Sequence, residues 1–245
     1  MSSGPSPSIW SRPEPGARGA SHSREEIAAA AIRLADAEGI DAVSMRRVAA
    51  ELGAGTMTLY HYVKNKDELM ELVSDAIMGE VLIPDGEMPA DWRRAMAELA
   101  RRSHAVFLAH PWTVDVAPGT EGGPNGLKHF EQSLAAASGT GLDREGMLDV
   151  IFMVDDYAFG SILRMNLTGD QFDQDASDGW INDRLARLPD LDPDEFPHLL
   201  AFFEGEDPED LIRRMVAAVS DEERFERGLR VLLDGIEGRI ERGWK

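Results

Sequence analysis

The feature that most constrains the fold is the segment 44–66, SMRRVAAELGAGTMTLYHYVKNK, in which a glycine-containing turn separates two short helical patterns. Ser44 is a favourable N-cap for the first helix, and Gly53 ends it. The second helix begins near Thr56, and the small side chain of Ala49 lets the two helices cross closely. Two short helices joined by so tight a turn are typical of a helix-turn-helix. The apolar face of the helix that Ser44 caps consists of Val48, Ala49 and Leu52.

A helix on the N-terminal side completes this unit, and a longer helix follows it. Ser23 followed by Glu26 forms a capping box, which predicts the start of a first helix, and Gly39 predicts its end. Asn65 is a plausible cap for a fourth, longer helix. We therefore predict a three-helix helix-turn-helix domain over residues 23–66.

The rest of the chain also has helical periodicity. β-Branched residues never alternate over a useful length, so strand signals are nearly absent. The predicted fold class is all-α, with the small N-terminal domain followed by a larger helical domain over 67–245. Residues 1–22 are rich in turn-forming residues and are predicted to be a disordered tail; the acidic stretch 168–178 is predicted to be mobile. The further helices are predicted near 91–109, 124–138, 143–167, 179–188, 194–204, 208–219 and 221–242.

Charge is distributed unevenly along the chain. The net charge is -20, but residues 1–70 hold 8 Lys and Arg against 9 Asp and Glu, whereas 71–245 hold 17 against 36. A locally basic segment on an acidic body can meet phosphates while the acidic remainder suppresses non-specific adsorption to nucleic acid. The absence of cysteine excludes disulfides, cysteine-ligated zinc and a thiol nucleophile. With neither a signal peptide nor a membrane-spanning run apparent, we expect a cytoplasmic protein.

The second helix of the motif leaves hydroxyl, methyl-rich and aromatic side chains exposed, a combination that suits base edges and phosphate oxygens. These residues are Thr56, Met57, Thr58, Tyr60 and His61.

The segment resembles the DNA-binding domain of the TetR family, whose signature ends in a Leu-Tyr-x-x-Val/Phe-x-x-Lys run, here residues 59–66, LYHYVKNK. The similarity spans about 24–80. A weaker likeness to the tetracycline-repressor type of C-terminal domain follows through 91–167 and 221–242, on Asp91-Trp92, His110-Pro111-Trp112 and Gly160. The resemblance implies double-stranded operator DNA as a partner. The DNA-binding residues it implies are Arg46, Thr56, Met57, Thr58, Tyr60, His61, Tyr62 and Lys66, with Tyr62 partly structural.

The apolar stripe of the last helix could belong to the core of one monomer, but the resemblance favours a homodimer that pairs the helices near 143–167 and 221–242 with their copies. Paired recognition helices would then lie ~34–36 Å apart and read a near-palindrome.

A small-molecule effector is implied among the middle helices, whose composition would fit an ordinary core as well. The candidate ligand-binding residues are His104, Phe107, Trp112, Phe130, Leu134, Phe152 and Asp155, and of Asp155 and Asp156 one is expected to face solvent. Ala117 and Arg164 stand near the positions of the tetracycline repressor's magnesium-chelating histidine and late acidic residue. We therefore expect no metal and no cofactor, and an organic, partly cationic effector rather than a magnesium–tetracycline chelate.

The resemblance thus implies a transcriptional repressor that binds a palindromic operator as a dimer and is released by a small-molecule effector. Two other classes of function compete with this prediction. An enzyme with a metal site would have to use His104, His110, Asp115 and His129, which lack the repeated spacing that places two ligands on one helical face. A dimeric ligand-binding scaffold with an impaired DNA reader is the second alternative. A helix-turn-helix that no longer binds DNA would be expected to have lost Arg46, Lys66 or the 56–58 surface, and this sequence retains all three.

Overall fold

The computed structural model describes residues 8–15, 22–116, 122–169, 191–217 and 222–244, and these contain helices and connecting turns but no strand. The predicted all-α class is therefore confirmed. The helices are α1 (Arg24–Glu38), α2 (Met45–Glu51), α3 (Thr56–Leu59), α4 (Lys66–Val81), α5 (Trp92–Ala109), α6 (Pro124–Ser138), α7 (Arg144–Gly169), α8 (Pro197–Phe203), α9 (Pro208–Ala217) and α10 (Glu222–Glu241). The helix predicted over 179–188 and part of the 168–178 stretch lie outside the described residues.

Local capping fixes the N-terminal helices as the sequence predicts. The Ser23 hydroxyl accepts a hydrogen bond from the Glu26 amide, and the Glu26 carboxylate accepts one from the Ser23 amide. Ser44 caps α2 by accepting the Arg47 amide, and Asn65 caps α4 by accepting the Glu68 amide. Each cap satisfies amides that a helix N-terminus leaves without partners, so the starts of these helices can be read from single residues.

Two hydrophobic cores organise the chain. The first joins α1, α2, α3 and α4 around Ile27, Val48, Leu59 and Leu69, which are almost completely buried. The second joins α5, α6, α7 and α10, and Met96, Ile151 and Leu229 lie within it. Because α4 contacts both α1 and α6, it links the helix-turn-helix unit to the larger helical body.

Residues 8–15 differ from the expected disordered tail. Ile9–Ser11 form a 3-10 turn, and the Ile9 side chain is fully buried in the first core. Burial of one large aliphatic side chain outweighs the turn-forming composition around it. The prediction of disorder is wrong for 8–15, while residues 1–7 and 16–21 lie outside the described part of the chain. No helix in that described part combines the length and apolar character needed to cross a bilayer.

Candidate nucleic-acid interface

The turn between α2 and α3 presents α3 at the surface. Gly53 adopts a φ of 65°, a left-handed conformation that side-chain-bearing residues rarely adopt, and α3 begins three residues later at Thr56. Leu59 anchors α3 in the first core. Met57 is 75% exposed and Tyr60 is 44% exposed. With the exposed His61 and the partly exposed Thr56 and Thr58, they form a surface that we call the reading surface.

Exposed basic side chains flank the reading surface. Arg46, Lys64 and Lys66 are exposed and form no ion pair with any residue that the structure describes. Arg47, next to Arg46 in α2, instead pairs with Glu38 of α1, and this pairing raises the pKa of the Arg47 guanidinium. Of the two neighbouring arginines, Arg46 is therefore the one available to a phosphate.

Tyr62 lies in the first core rather than on the reading surface. Its side chain is only 3% exposed, and its hydroxyl oxygen accepts a hydrogen bond from the His22 amide at 3.4 Å. This placement corrects the expectation that Tyr62 contacts DNA. After α3 ends at Leu59, the chain makes a tight turn over residues 60–63. This turn directs Tyr60 and His61 outward and Tyr62 inward.

A polar junction connects the helix-turn-helix unit to the body. His110, at the end of α5, hydrogen-bonds through Nδ1 to Asp36 of α1 at 2.7 Å and through Nε2 to Glu80 of α4 at 3.2 Å. The Trp112 indole N–H donates to the same Asp36 oxygen at 2.7 Å. Burial lowers the pKa of His110, but the hydrogen bonds and charges of Asp36 and Glu80 outweigh it, so the pKa is raised. The His110-Pro111-Trp112 motif thus joins three helices.

This junction predicts a pH dependence of stability. The folded pKa of His110 lies above its ordinary value of about 6.5. The stability that protonated His110 contributes is therefore fully present below pH 6.5 and is lost as the pH rises through the folded pKa. We expect His110→Gln to cost about 2 kcal/mol at pH 6, through the lost charged hydrogen bonds, and less at pH 9. Urea unfolding at both pH values measures the difference; an equal cost at both would contradict a charged His110.

Further contacts hold α4 to the body. The Asp75 carboxylate accepts hydrogen bonds from the amides of Asn125 at 2.8 Å and Gly126 at 3.1 Å, and so caps the N-terminus of α6 from a neighbouring helix. The Asn125 side chain donates to the Asp75 carbonyl oxygen at 3.0 Å. Arg102 of α5 donates to the carbonyl oxygens of Val81 at 2.9 Å and Glu80 at 3.1 Å, where α4 ends. These contacts tie α4 to both α5 and α6.

The structure separates the candidate ligand-binding residues. Trp112 belongs to the first core and Phe107 packs against it, whereas Leu134 packs against the second core. His104 is buried, stacks on Phe225 with ring centroids 3.8 Å apart, and places Nε2 3.4 Å from the Ser161 hydroxyl. The remaining candidates, Phe130, Phe152 and Asp155, are exposed in the single chain, as is Asp156.

An apolar face lies exposed along α7 and α10. Phe152 of α7 is 56% exposed and Val231 of α10 is 69% exposed, and Phe159 and Leu163 continue the face. An open groove of about 540 Å³ runs between the two helices, and Asp156, Arg164 and Val231 are among its lining residues. Large apolar side chains exposed together on one surface mark an interaction site.

The four residues of the alternative metal site do not form a cluster. Among the residues that the structure describes, no group of three or more His, Asp or Glu side chains is arranged to hold a metal ion. His104 stacks in the second core, whereas His110 is bound to Asp36 and Glu80.

Two protein-family models match the chain. One, described as bacterial regulatory proteins of the tetR family, matches residues 27–73, and the other, described as the tetracyclin repressor-like C-terminal domain, matches residues 84–240. These ranges correspond to the helix-turn-helix unit and to the larger helical body.

Individual proteins show the same likeness. The repressor DrrR1 of Streptomyces coeruleorubidus is 38% identical over 56% of this chain and 51% of its own length. An HTH-type transcriptional regulator of Saccharopolyspora erythraea is 33% identical over 63% of this chain. The chain thus spans about half of the first relative and 66% of the second.

Among solved structures, Streptomyces coelicolor ActR in complex with actinorhodin is 29% identical, with a TM-score of 0.69 over 89% of this chain and 96% of that one. The matches to the family models together cover most of the chain. The chain belongs to the tetR family of bacterial regulatory proteins.

Proposed function

We propose that this protein is a transcriptional repressor that binds a palindromic operator as a homodimer and is released from it by a small molecule. The observation that carries the proposal is the reading surface: Met57, Tyr60 and His61 project from a helix-turn-helix with unpaired basic residues beside them. The name of DrrR1 records it as a repressor, which supports repression over activation. An impaired DNA reader is not favoured, because Arg46 and Lys66 are both exposed.

The contacts sort into two groups by chemistry. Arg46 and Lys66 would bind backbone phosphates, since both are exposed cations at the first turn of a helix, with the positive end of the helix dipole adding attraction. Thr56, Met57 and Thr58 would face base edges in the major groove, where hydroxyl groups hydrogen-bond and the methionine contacts thymine methyl groups. Phosphate contacts would supply affinity, and the base contacts would supply sequence preference.

The dimer would form through the apolar face of α7 and α10. Phe152 and Val231 would lose most of their exposed area against a second copy, which would remove an apolar surface from water. A two-fold axis through this face would pair the helices with their copies as a four-helix bundle, and it would place two reading surfaces one DNA turn apart.

Effector control would act through α4. Lys66 begins this helix at the DNA-binding end, while Asp75 and Glu80 hold it to α6 and to His110 of the body. A molecule that bound the body more tightly in one arrangement of these contacts would shift the separation of the reading surfaces, with a coupling of ~1–3 kcal/mol. The likeness to ActR bound to actinorhodin supports an organic effector.

Two substitutions separate phosphate binding from base reading. We expect Lys66→Ala to weaken binding to all sequences and to reduce the slope of log K against log salt by about one. Thr58→Ala should leave that slope unchanged and relax sequence preference at one or two base pairs. Fluorescence anisotropy on an operator and its single-base variants measures both effects.

Arg47→Ala is the matched control, since its guanidinium is already paired with Glu38 and we expect little change in affinity. If Lys66→Ala and Thr58→Ala both bound every variant as the wild type does, the reading surface would be assigned wrongly.

A further inference from the structure

The N-terminal segment 8–15 lies outside both family matches, which begin at residues 27 and 84. Ser8 caps its 3-10 turn by accepting a hydrogen bond from the Trp10 amide at 3.3 Å. Ile9 inserts into the first core, the same core that anchors α3 and α4. The segment therefore packs as part of the helix-turn-helix unit.

Arg24, the first residue of α1, fixes the segment against that helix. Its guanidinium donates to the carbonyl oxygens of Ile9 at 3.0 Å and Arg12 at 3.1 Å, and its amide donates to the Glu14 carboxylate at 2.6 Å. Burial, followed by the charge of Arg12, lowers the pKa of the Arg24 guanidinium. With its backbone held at Ile9 and at Arg12, the segment directs the Arg12 side chain towards α4.

Arg12 meets a buried carboxylate there. Its guanidinium pairs with Oε2 of Glu68, a side chain only 8% exposed. The same oxygen accepts the Lys64 amide at 2.7 Å, and the Glu68 amide donates to Asn65 Oδ1 at 2.8 Å. Glu68 therefore holds the turn 64–66, which carries both exposed lysines beside the reading surface.

A carboxylate buried this far is costly unless a positive charge and hydrogen bonds compensate it. Arg12 supplies that charge from 56 residues away in sequence. Without it, Glu68 would gain by moving towards water, and that movement would break its bond to the Lys64 amide and release the turn.

We propose that Arg12 is a positioning residue for operator binding: by neutralising Glu68 it fixes the turn 64–66, so the segment 8–15 is a working part of the DNA reader. This inference rests on the proposed function. Arg12 acts through Glu68 and touches no phosphate itself, because its guanidinium is directed into the protein and its side chain is only 22% exposed.

The test uses the full chain and the operator recovered by selection from random duplex DNA. We expect Arg12→Met to weaken operator binding about tenfold, because the loosened turn must be ordered again when the protein binds DNA. The slope of log K against log salt should stay as in the wild type, because both lysines still reach their phosphates in the complex. Arg33→Met, which breaks the exposed pair with Glu51 and removes the same charge, is the matched control and should keep wild-type affinity.

A double variant tests the same role of Arg12, also where Arg12→Met alone folds poorly. Arg12→Met combined with Glu68→Gln removes the unpaired buried charge and keeps an oxygen for the Lys64 amide, so affinity should recover in part. Wild-type affinity for Arg12→Met, a slope reduced by about one, or no recovery in the double variant would each overturn the positioning role. A wild-type protein that selects no operator would instead refute the proposed function.

Discussion

Replacing Gly123 with alanine is expected to lower the free energy of unfolding by about 3 kcal/mol, combining overpacking with the loss of charged hydrogen bonds. A Cβ at this position would overlap the Asp75 carboxyl group and lie 2.8 Å from the Asp75 Cβ. The carboxylate would have to leave the amides of Asn125 and Gly126, which it caps. Because the φ of Gly123 is -80°, backbone strain is not the cause. Urea unfolding measures the loss.

The steric origin of this effect can be tested by removing the group that is displaced. Asp75→Ala alone should cost about 2 kcal/mol, because two amides at the start of α6, that of Gly126 buried, lose their acceptor. In the double variant the overlap is gone, so Gly123→Ala should add little to the cost of Asp75→Ala. Additive costs would contradict the conflict between the two residues, since additivity is the mark of independent sites.

If the proposed dimer forms through α7 and α10, Val231→Glu is expected to convert it into a monomer and to weaken operator binding by roughly a hundredfold or more, since an unpaired charge would be buried in each copy. Val231 is 69% exposed in the single chain, so the substitution should leave the fold of each protomer unchanged. A monomer reaches only one half-site. Analytical ultracentrifugation with operator titration measures both effects.

Leu127→Glu provides the matched control. Leu127 is 64% exposed, but it lies on α6, outside the face of α7 and α10. The control should remain dimeric and bind the operator normally. Dimers of Val231→Glu at micromolar concentration would place the interface elsewhere on the molecule.

The sequence predicts the parts of this protein that depend on nearby residues. The caps at Ser23, Ser44 and Asn65 and the left-handed glycines at 39 and 53 act within a few positions, so their helices could be bounded closely. The exposed side chains of α3 follow from helical periodicity once Leu59 is taken as the anchor.

The sequence does not reveal contacts between distant residues. Arg12 and Glu68 are 56 positions apart, and His110 and Asp36 are 74 apart, so no local pattern shows either pair. Ile9 stands among prolines and serines, whose composition indicates disorder, although the buried Ile9 side chain and the hydrogen bonds from Arg24 order the segment. Composition also cannot separate core from cavity. Trp112 was a ligand candidate, yet the structure places it at the junction with Asp36.

Selection of bound fragments from a pool of random duplex DNA, with the purified wild-type protein, tests the central proposal most directly. Two reading surfaces related by a two-fold axis predict an inverted repeat whose half-site centres lie about 10 base pairs, or ~34–36 Å, apart. Recovery of such a repeat would establish sequence-specific binding by a dimer. A pool without an enriched sequence, or with one unrepeated motif, would contradict it.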